Sequence, residues 1–260
     1  MRIALGIEYD GGDFAGWQLQ VDGVRTVQGA VEQALSRVAD HPVRVVCAGR
    51  TDTGVHATAQ VVHFDTQAER PLRSWVYGAN ANLPKSVSVQ WARPVDTDFH
   101  ARFSALRRRY RYVILNRELR PTFLAGRVAW EYRPLDEGLM GQAARALVGE
   151  HDFSAYRAIA CQAKSPVRSL YELAVTRDRD LVILDLEANA FLHHMVRNIA
   201  GVLMTIGAGN QPPTWAREVL ESRDRTLGGV TAQSSGLYLT GVAYPVRFDL
   251  PALSPSRVVW

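Results

Sequence analysis

Apolar side chains alternate with others along the first nine residues. Ile3, Leu5, Ile7 and Tyr9 share one face, the two-residue period of a half-buried β-strand. A polar, glycine-bearing loop, DGGDFAGWQLQ, follows, and from Val27 the period changes. Val27, Ala30, Val31, Ala34, Leu35 and Val38 recur at helical spacing, with Thr26 placed as N-cap and Pro42 beyond the end. Apolar runs at 43–48 and 60–64 predict two strands joined by GRTDTGVHA. A helix over 72–80 and a strand over 87–95 complete a βαββαβ order.

The segment 109–115 predicts another strand, with Tyr110 and Tyr112 on one face, and 117–126 with Pro121 reads as a connection. Beyond Pro134 the mixture returns: a helix over 136–148, strands over 167–177 and 181–188, helices over 191–206 and 214–221, and a closing strand over 236–244. No fixed-period repeat accompanies it. The pattern predicts an α+β fold with two mixed sheet-plus-helix halves flanking a central catalytic cleft. Its divisions are an N-terminal half over 1–105, a connecting strand and basic linker over 106–133, and a C-terminal half over 134–260.

A chain of 260 residues can bury roughly three quarters of its unfolded surface. With 47% apolar and 22% charged residues and no long uninterrupted apolar run, it reads as globular rather than membrane-spanning. The N-terminus reads as a strand and not as a signal peptide, so cytoplasmic location is expected. Cys47 and Cys161 lack CxxC spacing and are expected to be small buried hydrophobes. His193 and His194 are adjacent, but no HExxH pattern or Cys/His cluster accompanies them, and no metal site is expected.

A net charge of +4 says little until its distribution is read. Between His100 and Arg127 stand Arg102, Arg107, Arg108, Arg109, Arg111, Arg117, Arg120 and Arg127 against the single acid Glu118, a local excess of +7. The guanidinium fork suits phosphate and stacks on bases, although a GC-rich genome enriches arginine equally. A charged strand edge is the bland explanation, phosphate contact the functional one.

The segment richest in chemistry is Gly49–Ala57, GRTDTGVHA, a glycine-bounded polar loop between apolar strands. Asp52 presents a carboxylate with Arg50 two residues earlier, a neighbour that favours the ionised form, and an ionised, partly buried carboxylate is a nucleophile. Taken alone, the loop equally fits an aspartate that caps its own turn and pairs with Arg50. Asp52-Thr53-Gly54 is also the triplet of aspartic proteases. Only one copy occurs, and Arg50 opposes the shared-proton state those enzymes need.

In order and spacing, several blocks together resemble the tRNA pseudouridine synthase A family over nearly the whole chain. They are Gly16-Trp17-Gln18 with Gln20, Thr26-Val27-Gln28-Gly29, GRTDTGVHA, His100-Ala101-Arg102-Phe103-Ser104-Ala105, Arg109-Tyr110-Arg111-Tyr112, His151-Asp152-Phe153, Ser165-Pro166-Val167-Arg168, and the run from Phe191 to Asn198. Thr53 departs from the alanine usual in the family.

The resemblance implies isomerisation of uridine to pseudouridine at positions 38 to 40 of the tRNA anticodon stem-loop, by a homodimer, without metal or organic cofactor. It makes Asp52 the catalytic aspartate, attacking the sugar C1′ or the base C6, or acting on the sugar to form a glycal. Tyr110 matches the active-site tyrosine, a stacking surface with a hydroxyl near the C5 proton. Periodicity alone does not separate it from Tyr112. Arg197 matches the ion-pair partner of Asp52; on its helix it falls opposite the apolar stripe, with His193, His194, Asn198, Gly201 and Thr205. Arg50 resembles the arginine that displaces the base, and Leu237 the apolar residue beneath it. Arg107 and Arg109 are expected on RNA phosphates, and His56 is given a structural role. A noncatalytic, RRM-like RNA-binding protein explains the basic segment as well. It leaves the Arg50/Asp52 loop without a purpose, since an acid in an RNA groove repels phosphate.

Overall fold

A computed structural model describes residues 1–21 and 23–251. The strands are β1 (Arg2–Tyr9), β2 (Val46–Cys47), β3 (His56–Asp65), β4 (Val87–Val95), β5 (Arg107–Asn116), β6 (Ala129–Glu131), β7 (Gly149–Asp152), β8 (Val167–Asp178), β9 (Leu181–Ala188) and β10 (Leu237–Ala243). The helices are α1 (Val27–Ala39), α2 (Leu72–Asn82), α3 (Glu137–Arg145), α4 (Met195–Gly207) and α5 (Trp215–Ser222). The described residues form two compact units: Met1–Leu106 with 238–251, and Arg107–Leu237. The expected linker, 106–133, therefore supplies β5 and β6 to the second unit. The closing strand, expected in the C-terminal half, pairs in the first unit through Tyr238 with His56 and Leu239 with Ala57. Chain order groups sequence neighbours, whereas backbone pairing groups strands that satisfy each other's N–H and C=O groups. Residues 252–260, counted in that half, lie outside the described residues.

In the first unit the strand order is β4-β1-β3-β10, and β1 pairs antiparallel with both neighbours. Because β1 runs along one edge of β3 from Asp65 to Ala57, β2 and β10 share the other edge, at opposite ends. The GRTDTGVHA loop leaves the sheet from the end of β2 and returns into β3. β1 is buried on both faces from Ile3 to Ile7, not on one as its alternation suggested. The second face closes because Gly6 lets the Trp91 side chain lie against the backbone; a Cβ at Gly6 would stand 2.0 Å from the Trp91 indole. Thr26 caps α1 as expected, its hydroxyl accepting the Gly29 N–H at 3.2 Å. Val38 of α1 meets Gly78 of α2, and the Trp75 ring of α2 packs edge-on against Phe64 of β3 at 5.1 Å. Fully buried side chains such as Phe64 contribute roughly 1.5–3 kcal/mol each.

The second unit orders its strands β5-β9-β8-β7, with β6 parallel to β5 on the far edge. Helices α3, α4 and α5 pack together and against β5 and β8. α4 begins at Met195, not at 191: His194 takes the left-handed conformation, φ 62°, as N-cap, so Phe191, His193 and His194 belong to the preceding loop. No described helix is long and apolar enough to cross a membrane.

Candidate active site

The Asp52 loop is fixed at both shoulders by side chains and backbone of its own unit. Gln60, a polar residue with no exposed surface inside β3, donates through Nε2 to the Gly49 carbonyl at 2.7 Å. It also accepts the Gly49 N–H at 3.4 Å. Tyr9 Oη lies 2.8 Å from Thr51 Oγ1, and the Trp17 N–H donates to the Thr51 carbonyl at 2.9 Å. On the far side, the Val55 N–H closes a turn onto the Asp52 carbonyl at 3.1 Å, and the Gly54 N–H reaches the Phe14 carbonyl. Asp52 is half-buried at the tip, Arg50 exposed beside it. A reacting carboxylate needs this arrangement, a rigid backbone under a side chain that solvent and substrate can reach.

Two glycines of the preceding loop let the segments approach. A Cβ on Gly16, whose φ is +91°, would meet the Thr51 carbonyl oxygen at 2.8 Å. One on Gly11 would meet the Val55 carbonyl oxygen at 2.0 Å. His56 is 2% exposed. Its Nδ1 lies 3.0 Å from the Gly11 N–H and 3.1 Å from Asp10 Oδ1, and its ring stacks on Tyr238 at 4.7 Å. Beneath the 17–19 segment, buried Glu32 accepts from the Val45 N–H, Gln28 Nε2 and Arg44 Nη1, and Gln28 Oε1 accepts the Leu19 N–H. The bond from Val45 to Glu32 explains why the apolar run 43–48 forms only a two-residue strand.

β2 runs beside His63, which is 4% exposed. Burial pushes its imidazole down to about 4, with the charges of Arg2 and His100 adding to the effect. An unfolded histidine titrates near 6.5, so between the two values the unfolded chain binds a proton that the folded chain refuses. Stability therefore rises with pH across this window and is lost as pH falls from about 6.5 towards 4. His63→Gln keeps an acceptor for the Ala101 N–H but cannot titrate. Urea midpoints at pH 7 and 4.5 are expected to show the wild type losing roughly 1–3 kcal/mol more than the variant. Parallel losses would remove His63 from the acid response.

In the second unit Tyr112 has no exposed surface, and its hydroxyl donates to the Gln233 carbonyl at 2.7 Å. Burial pushes that phenol well above the ordinary tyrosine value. Tyr112 is thus a packed core tyrosine with its hydroxyl already committed. Tyr110 is 8% exposed, with the Phe191 ring edge-on to it at 4.9 Å and 78°. Leu237 is buried at the start of β10.

The face of α4 opposite the apolar stripe is covered rather than solvated. Asn198 is 2% exposed. It donates to the Tyr156 carbonyl and accepts from Arg225 and Thr231. A Cβ on Gly201 would stand 1.9 Å from the Val230 carbonyl oxygen. Half-buried Arg197 donates through Nε to the Ala232 carbonyl at 2.8 Å, and the Ala232 N–H returns a bond to the Arg197 carbonyl. The 228–232 segment thus fixes the stem of Arg197.

Acids of the neighbouring strand β9 neutralise part of the basic segment's charge. Arg107 Nη1 lies 2.7 Å from Glu187 Oε1, and Arg109 Nε contacts Glu187 Oε2. Arg111 pairs with Asp185 at 2.7 Å. Burial works against a charge on Glu187, but the two arginine hydrogen bonds outweigh it and hold the carboxyl below the usual carboxylate range. The β5–β9 register sets Arg109 opposite Glu187 and Arg111 opposite Asp185, a neutralisation that a local charge count misses. Both arginines that face Glu187 still expose about half of their side chains. Cys47 is buried as expected, whereas Cys161 is half-buried. Gln60 and Glu187 are the residues that the sequence reading missed. A polar residue set beside apolar ones in a strand was the available signal for each, Gln60 ahead of Val61 and Val62 and Glu187 after Leu186.

Each unit combines strands and helices, the α+β mixture expected from the sequence. The family model described as tRNA pseudouridine synthase matches residues 6–104 and 143–245. The chain is 62% identical over 260 residues to the tRNA pseudouridine synthase A of Nitrosococcus oceani, covering all of both chains. It is 61% identical over 250 residues to that of Pseudomonas aeruginosa, covering 96% of this chain and 88% of the relative. With that of Alcanivorax borkumensis it shares 59% over 259 residues, covering 100% and 97%. A solved structure titled "Crystal Structure of a Cbf5-Nop10-Gar1 Complex" is matched at TM-score 0.37 and 12% identity, over 91% of this chain and 48% of that one. The chain belongs to the tRNA pseudouridine synthase family.

Proposed function

We propose that this chain converts uridine to pseudouridine in tRNA, at positions 38 to 40 of the anticodon stem-loop, acting as a homodimer with Asp52 as nucleophile. The observation that carries the reading is the loop itself. Gly49, Thr51 and Val55 are each held by backbone or buried side-chain hydrogen bonds, and the residue so presented is an acid. A protein that only bound RNA would gain nothing from a rigidly displayed carboxylate, which repels phosphate.

Extruding the target nucleotide costs a few kcal/mol, so groups that hold it outside the stack are required. In this reading Asp52 attacks C1′ or C6, or acts on the sugar to form a glycal. The freed uracil turns and rejoins the sugar through C5, and the C5 proton leaves. Tyr110 supplies a ring against the base and a hydroxyl for that proton. Arg197 keeps the carboxylate ionised and oriented, Arg50 displaces the base from its stack, and Leu237 packs beneath it. Arg107 and Arg109 share their guanidinium donors between Glu187 and RNA phosphate.

The chemistry supplies its own test, because each pseudouridine formed releases one C5 hydrogen. With tRNA transcribed from 5-tritiated uridine, the purified chain is expected to release tritium to water. Substitution of cytidine at positions 38 to 40 should stop the release. Undiminished release from the substituted tRNA would place the target elsewhere, and no release from unsubstituted tRNA would refute the activity.

A further inference from the structure

The turn from Phe99 to Ser104 in the first unit presents an aromatic ring to solvent from an otherwise immobilised backbone. Phe99 is fully buried among the rings of Tyr244 and Phe248, at 5.1 and 5.0 Å. The Ala101 carbonyl accepts from the Tyr244 hydroxyl at 2.7 Å, and the Ala101 N–H donates to His63 Nδ1 at 3.1 Å. Ser104 N–H donates to the His100 carbonyl, and the His100 N–H donates back to Ser104 Oγ. His100 Nδ1 accepts the N–H groups of both Arg102 and Phe103 at 3.2 Å. That role requires the neutral ring, and burial together with Arg2 keeps the imidazole below its ordinary value.

On this base the Phe103 ring lies over the His100 ring, with centroids 4.3 Å apart and planes within 29°. The His63 ring is the next neighbour, 4.9 Å from that of His100. Yet Phe103 is 76% exposed. The guanidinium of Arg102 stands 5.5 Å from its ring centroid. The turn also adjoins the Asp52 loop, because His63, which holds Ala101, is paired with Val46 in the strand that leads into Gly49 and Arg50. Burial pushes the Cys47 thiol up to about 12, while the charges of Arg50 and Arg102 both pull it down, so both guanidiniums act on the end of β2.

We propose that Phe103 is a stacking site for an unpaired nucleobase of the RNA substrate, with Arg102 and Arg50 meeting the adjoining phosphates. This rests on the proposed action on tRNA and adds a binding site to it. A base laid on the exposed ring face extends the existing His100–Phe103 stack. The fixed turn means that little ordering entropy is lost when it does. The neighbouring cations favour RNA over an apolar protein surface as the occupant. The site is sequence-tolerant, since every base has a π-face to offer.

The test measures tRNA affinity at one fixed salt concentration for wild type, Phe103→Ala, Phe103→Leu and Phe103→Trp, with melting temperature and sedimentation on the same samples. Alanine and leucine are expected to raise Kd roughly 5- to 50-fold, leucine because it keeps apolar bulk but has no π-face. Tryptophan should bind within about twofold of wild type or more tightly. The melting temperature should stay unchanged, because the 76% exposed ring supports neither the loop nor the core. Wild-type Kd in the alanine or leucine variant overturns the stacking site. So does altered sedimentation with unchanged Kd, which would assign the ring to a contact between protein chains. If wild type turns over tRNA and Kd is indifferent to Phe103, only this inference fails. If Kd depends on Phe103 but no tritium is released, the catalytic reading fails instead.

Discussion

Asp52→Asn is expected to lower pseudouridine formation by on the order of 10⁴-fold or more while binding tRNA as well as the wild type or better. The magnitude follows from removing a nucleophile, whose loss leaves only the binding contribution to catalysis. The retained binding follows from charge, since the substitution removes one negative group from a surface meant for phosphates. Asparagine is nearly isosteric and the position is half-buried. The bonds from Gln60 and Tyr9 that hold the loop run to Gly49 and Thr51, and the Val55 N–H bonds the backbone carbonyl of Asp52. The melting temperature should therefore change little. Single-turnover tritium release and a filter-binding Kd on the same preparation check both halves. Turnover within tenfold of wild type would remove Asp52 from the chemistry.

A smaller but still large loss is expected from a position outside the reacting groups. Gly11→Ala places a methyl group 2.0 Å from the Val55 carbonyl oxygen and 2.6 Å from its carbon. Backbone cannot rotate away as a side chain can, so one of the two segments must shift by about an ångström. A displacement of that size at a reacting group costs on the order of 100-fold in rate, and forcing extra atoms into a packed interior costs about 1–3 kcal/mol. Gly141→Ala is the matched control: nothing lies within 4 Å of its Cβ, and it sits inside α3. There alanine should gain roughly 0.5–1 kcal/mol through lower unfolded-state freedom. Rate constants and urea midpoints for both variants decide the matter. Full activity in Gly11→Ala would mean that the loop does not need its seat.

What the sequence disclosed depended on how local the cause was. The bounds of β4 and β9 were legible because apolar patterning spans their length, and α1 because Thr26 and a helical stripe coincide. β7, Gly149–Asp152, has no apolar pattern at all and exists because β8 offers it a paired edge. The closing strand was legible as a strand but not as part of the first unit, since its partner, β3, lies far back in the chain. At the site the same division holds. Asp52 and Arg50 stood out in a short polar loop, whereas Gln60 acquires meaning only when β3 turns it towards Gly49 and Tyr9. The arginines of β5 looked like open phosphate ligands because their acids, Asp185 and Glu187, sit one strand over. The covering of α4 by the 228–232 segment was likewise invisible to a helical wheel, which knows only its own helix.

The central claim is that this chain makes pseudouridine in tRNA and that Asp52 is the group that does so. Its most direct test maps pseudouridine by chemical labelling and mass spectrometry in tRNA from cells lacking the gene, with wild-type or Asp52→Asn protein restored. The account predicts that positions 38 to 40 lose the modification on deletion, regain it with wild type, and stay unmodified with the variant. Unchanged pseudouridine in the deletion, or recovery with Asp52→Asn, would contradict it.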